Sequence, residues 1–170
     1  MRWARLIRII IPMSDCVVIG IGNTLQLDDG VGVYAVRYMR GKMPEGVELV
    51  EGSVYSVDLL PALENRRKVI FIDGIDAGEE PGAVFRFTPE QVRDAGRIMP
   101  ISLHDFGLYE LIMASDLLDQ RPREVIVVAV QVKSVESGEG LSEELKAVIP
   151  EIHRLIIDEI GYESGTIPED

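Results

Sequence analysis

Three apolar runs of strand length, at residues 16–21, 68–73 and 124–130, restrict this chain more than any other feature. Apart from Lys68, Asp73 and Glu124 at their ends, they are apolar at consecutive rather than alternate positions, the pattern of a strand covered on both faces, as in a parallel sheet. A parallel sheet needs crossover connections, and the segments between the runs supply them. Val31, Tyr34, Ala35 and Tyr38 recur at helical spacing before a stop at Gly41 and Pro44. A short second strand at 47–50 precedes a helical segment at 57–63, with Leu59, Leu60 and Leu63 inward and Pro61 limiting its regularity. After the turn-forming residues 76–82, residues 83–87 alternate as an edge strand does, and residues 89–93 suit one helical turn. Ser102 and Asp105 open a capped helix whose buried face carries Leu108, Leu111, Ile112 and Leu118. Ser142 caps a terminal helix with Leu145, Val148, Ile149, Ile152 and Ile156 inward, in which Pro150 predicts a kink or a restart. The expected fold is a single-domain α/β sandwich, a twisted, mostly parallel sheet of about five strands between helices.

A chain of 170 residues, 46% apolar and 27% charged, is long enough to bury one core without staples. The maturely folded part is expected at residues 13–162, between an N-terminal extension at 1–12 and a tail at 163–170. The extension is basic (Arg2, Arg5, Arg8) and its apolar core is too short for a secretory signal, so Met13 is the expected natural start. A net charge of -12 disfavours nucleic acid and anionic membranes as partners, since both need a basic face. The single cysteine, Cys16, lies inside a strand, which excludes a disulfide framework and points to a reducing, cytoplasmic compartment.

The stretch from Gly20 to Gly32 joins the first strand to the first helix, at the edge where open α/β sheets place their sites. Gly20-Ile21-Gly22 begins a dinucleotide fingerprint, but Leu25 stands where the third glycine belongs. Asp28 and Asp29 would repel a pyrophosphate, so no nucleotide cofactor is expected. Two carboxylates suit a cation better. One of them is accounted for as a cap of the helix near Gly30, which leaves the other for a ligand. Asp73 ends the 68–73 strand, either as the start of the Asp73-Gly74 turn or as a second carboxylate at the same edge. His104 falls in the first turn of a capped helix, where the positive end of the dipole favours the neutral imidazole that binds metal. The other histidine, His153, lies beside the apolar stripe of the terminal helix and suits packing. Two carboxylates and an imidazole from separate loops suit a borderline divalent ion such as nickel or zinc. No serine or cysteine nucleophile motif competes with them.

Gly20-Ile21-Gly22-Asn23, the Asp28-Asp29-Gly30-Val31-Gly32 exit, Ile72-Asp73 with the later Pro81-Gly82 turn, and Ser102-Leu103-His104 before a helix together resemble the hydrogenase maturation endopeptidases. The resemblance runs from about residue 15 to 160 in consistent order. It implies a protease that removes the C-terminal extension of the nickel-iron hydrogenase large-subunit precursor after nickel insertion. It also implies a metal-binding trio at Asp29, Asp73 and His104, with nickel supplied by the substrate. Gly22 and Asn23 would receive the scissile peptide, and Asp28 is either a base or only a helix cap. Two departures stand out: Asp29 occupies a position often held by Glu, and Glu51-Gly52 replaces a Gly-Gly pair. The competing function is a nickel checkpoint or chaperone that binds the immature subunit without cutting it.

Overall fold

A computed structural model describes residues 15–95 and 107–161. In it the three apolar runs become β1 (Cys16–Ile21), β3 (Lys68–Ile75) and β5 (Glu124–Gln131), joined by β2 (Val47–Gly52) and β4 (Val84–Phe87). The sheet has the order β2-β1-β3-β5-β4. The first four strands in that order pair in parallel, and β4 closes the edge antiparallel to β5.

Helix α1 (Val31–Met39) connects β1 to β2, and a short turn with α2 (Leu60–Leu63) returns the chain across β1 to β3. Helices α3 (Pro89–Ala95), α4 (Gly107–Leu117) and α5 (Glu143–Glu159) complete the layers. One core lies between the sheet and α1 with α5, where Val18, Ile70, Ile72 and Val128 meet Val36, Leu145, Ile152 and Ile156. The other lies under α2 and α4, where Val17, Ile19, Phe71 and Val127 meet Leu63, Leu108, Leu111 and Ile112. Both cores follow from the unbroken apolar runs, whose alternate residues feed opposite faces. Burying each such Ile, Leu or Phe side chain contributes roughly 1.5–3 kcal/mol.

Two local expectations are corrected, at Leu118 and Ser142, and of the two outcomes expected at Pro150 the restart does not occur. Leu118 is 56% exposed because α4 ends at Leu117, before the stripe can continue. Helix α5 runs through Pro150 without a restart, held on both sides of it by the buried Val148, Ile149 and Ile152. Ser142 occupies the N-cap position of α5 but makes no side-chain cap bond. The Ser102 to Asp105 capping box lies outside the described residues, as do the 1–12 extension and the 163–170 tail. No described helix is long and apolar enough to cross a membrane.

Candidate functional site

The chain leaves β1 toward β2 on one side and returns to β3 on the other, so the strand order reverses between β1 and β3. In an open α/β sheet, ligands bind in the crevice at the carboxyl ends of the strands at such a switch point. Asp29 follows β1 and Asp73 lies near the end of β3, so the two flank that crevice. The start of α1 is pressed into it, since a Cβ on Gly32 would stand 2.1 Å from the Ile72 carbonyl oxygen. Only glycine permits this approach.

The loop after β1 is bound on both sides. Gly22, at φ +139°, donates its N–H to the Gly52 carbonyl at 3.2 Å and ties the ends of β1 and β2 together. A side chain there would lie 1.8 Å from the Asp29 carbonyl oxygen. The next N–H, of Asn23, donates to Asp29 Oδ2 at 2.8 Å, and Asn23 Oδ1 accepts the Leu25 N–H at 3.0 Å. Asn23 is exposed and Asp29 is 8% exposed.

Asp28 is fully buried and faces away from this loop. Its Oδ2 accepts the N–H of Lys133 at 3.0 Å, the N–H of Ser134 at 3.2 Å and the Ser142 hydroxyl at 2.9 Å. Its Oδ1 accepts the Ser142 N–H at 2.7 Å. Backbone bonds from Leu27 to Gly138 and from Asp28 to Ser134 extend the seam. The structure thus gives Asp28 a different task from a cap on α1, whose N-cap is Gly30. It fastens the Asp29 loop to the segment between β5 and α5, and Ser142 spends its hydroxyl there.

Asp73 is fully buried, with Oδ1 accepting the Gly74 N–H at 2.8 Å. Gly74 lies against the Asp28 backbone, since a Cβ on it would stand 3.4 Å from the Asp28 carbonyl oxygen. The two acidic loops are therefore brought together at the backbone level. Beside Asp73 lies Tyr55, from the loop after β2, whose phenol is pushed well up by burial first and by the Asp73 charge second. Local periodicity gave no signal for Tyr55, which sits between the exposed Val54 and Val57.

His104 lies outside the described residues, and α4 begins three residues after it. Among the described residues, no three His, Cys, Asp or Glu side chains are grouped to hold a metal. Asp29 and Asp73 bring carboxylate oxygens, a donor type that divalent ions accept, to the same edge of the sheet. His153 is elsewhere, its ring edge-on to Tyr38 at 5.9 Å. Glu51, the departure beside Gly52, turns to α1, where it pairs with Arg37 at 2.9 Å and with Arg40.

A cleft of about 480 Å³ opens beside Asp29, between the ends of β3 and β5. Its wall is the turn after β3, which Gln131 staples. The buried Gln131 accepts the Ala77 and Glu79 N–H groups at 2.8 and 3.2 Å and donates to Asp76 Oδ1 and the Val132 carbonyl.

Residues 33–159 match the family model described as hydrogenase maturation protease. The chain is 34% identical over 125 residues to the hydrogenase expression/formation protein HupD of Bradyrhizobium diazoefficiens, covering 72% of this chain and spanning 65% of that relative's length. It is 30% identical over 135 residues to the hydrogenase 2 maturation protease of Escherichia coli, covering 78% of this chain and 82% of that one. The solved hydrogenase maturating endopeptidase HybD from Escherichia coli superposes with a TM-score of 0.76 at 27% identity, over 88% of this chain and 93% of that one. With three quarters of its length inside the family model and the same sheet, this chain belongs to the hydrogenase maturation protease family.

Proposed function

We propose that this protein is an endopeptidase that removes the C-terminal extension of a nickel-iron hydrogenase large-subunit precursor after nickel insertion, using the nickel of the substrate for recognition. The observation that carries this reading is the seating of Asp29 and Asp73 on either side of the β1/β3 switch point, in a chain of this family. Asp29, Asp73 and His104 complete the coordination sphere of the metal that the precursor brings. That metal supplies Lewis acidity for the scissile carbonyl or a bound water.

The chain's own groups position the peptide. Gly22 lets the backbone pass close to Asp29, and the exposed Asn23 carries an amide that donates to a peptide carbonyl. Asp28 contributes by holding the loop, since both of its oxygens are engaged by residues 133–142. Leu25, Val54 and Val57, exposed on the two loops that Gly22 and Gly52 tie together, form an apolar rim for the folded part of the precursor. The reaction belongs to the cytoplasm.

Purified protein incubated with nickel-loaded precursor tests this directly, with the precursor mass as the readout. Loss of the extension is expected with the wild type, and none with Asp29→Ala, Asp73→Ala or His104→Ala variants that remain folded. A stoichiometric complex without shortening of the precursor would establish the checkpoint function instead.

A further inference from the structure

The loop after β2 carries a side chain that the chemistry above does not use. Tyr55 is 7% exposed, and its buried hydroxyl has no hydrogen-bond partner of full geometry among the described residues. A buried hydroxyl in that state is unfavourable, and phenylalanine would fill the same space without the cost. The ring stands edge-on to Phe71, with centroids 5.3 Å apart. Asp73 lies two residues beyond Phe71, so its side chain shares that face of β3. The phenol therefore packs along the face of β3 that also carries Asp73.

The backbone of Tyr55 is fixed as firmly as its ring. A Cβ on Gly107, the first residue of α4, would stand 2.3 Å from the Tyr55 Cβ and 2.4 Å from its carbonyl oxygen. Tyr55 is thus wedged between β3 and the start of α4. Carboxylates that bind a metal are themselves held by hydrogen bonds from neighbouring groups, and losing such a partner typically costs roughly 10- to 100-fold in affinity or activity.

We propose that Tyr55 is a positioning residue for Asp73: its hydroxyl closes onto the Asp73 carboxylate as that group turns to the metal of the substrate. The inference rests on the place given to Asp73 in the function proposed above. The test is Tyr55→Phe in the full chain, which keeps the ring, the Phe71 contact and the fit to Gly107. The expected result is a melting temperature equal to or above that of the wild type, with kcat for nickel-loaded precursor lower by roughly 10- to 100-fold and KM little changed. A thermal double-mutant cycle with Asp73→Asn provides a second readout that needs no substrate, and its shifts are expected to be non-additive. Processing within about twofold of an active wild type, additive thermal shifts, or a Tyr55→Phe protein that melts well below the wild type would each overturn the proposal. Should the wild type itself fail to cut the precursor, the proposed function falls and the thermal cycle alone decides the link between Tyr55 and Asp73.

Discussion

Replacing Asp28 by Asn changes one oxygen to an amide nitrogen and no other heavy atom. The carboxylate accepts four hydrogen bonds, three on Oδ2 and one on Oδ1. Asparagine satisfies the larger set only by placing its oxygen at Oδ2, which points its NH2 at the Ser142 N–H, donor against donor. A hydrogen bond to an ionised group contributes about 1.5–3 kcal/mol, and the stranded buried N–H adds a desolvation penalty of similar order. The three remaining bonds also lose their charge assistance. A loss of about 2–4 kcal/mol follows, which for a chain of this size lowers the melting temperature by about 10 °C. Urea unfolding of wild type, Asp28→Asn and Ser142→Ala side by side measures it. Ser142→Ala removes only the hydroxyl bond and is expected to cost about 1 kcal/mol. An Asp28→Asn protein within about 0.5 kcal/mol of the wild type would refute the seam between the Asp29 loop and residues 133–142.

Other perturbations follow from the same geometry. Gly22→Ala places a methyl 1.8 Å from the Asp29 carbonyl oxygen at a φ of +139°, so the variant should lose both the loop conformation and precursor cleavage, read by hydrogen exchange and by precursor mass. Gln131→Leu removes the staple of the turn after β3 and strands the Ala77 and Glu79 N–H groups, a loss of about 2–4 kcal/mol in urea unfolding. Leu25→Asp and Val57→Asp lie on exposed positions and should raise KM for the precursor with melting temperatures unchanged. The Tyr55 phenol is raised in the folded protein, so above about pH 10 the unfolded chain releases a proton that the native state retains, and stability falls as the pH rises. Tyr55→Phe should flatten that alkaline decline in pH-dependent melting curves.

The order and type of the elements were legible because they depend on local patterns. The runs at 16–21, 68–73 and 124–130, apolar through their interiors and of strand length, read as strands with two covered faces, and the observed β1, β3 and β5 begin where those runs begin. The ends of elements were less legible, as at Leu118, because the termination of α4 depends on its packing and not on its own periodicity. The task of Asp28 was hidden for a different reason. Its acceptors are met by donors 105 to 114 residues further along, which no window of sequence contains. Glu51 likewise stood out as a charge beside the site, whereas it pairs with Arg37 on α1 and with Arg40 just past its end. Tyr55 carried no signal at all, because an aromatic residue in a loop acquires meaning only from the β3 and α4 residues folded against it.

The proposed function puts a metal carried by the substrate in the crevice between the acidic loops of β1 and β3. Its most direct test is cleavage of one precursor preparation, divided into nickel-loaded and nickel-free portions and exposed to the pure protein, with the mass of the large subunit as the readout. Removal of the C-terminal extension from the nickel-loaded portion alone is the predicted result. Equal cleavage of both portions, or binding of the loaded precursor without any shortening, would contradict it.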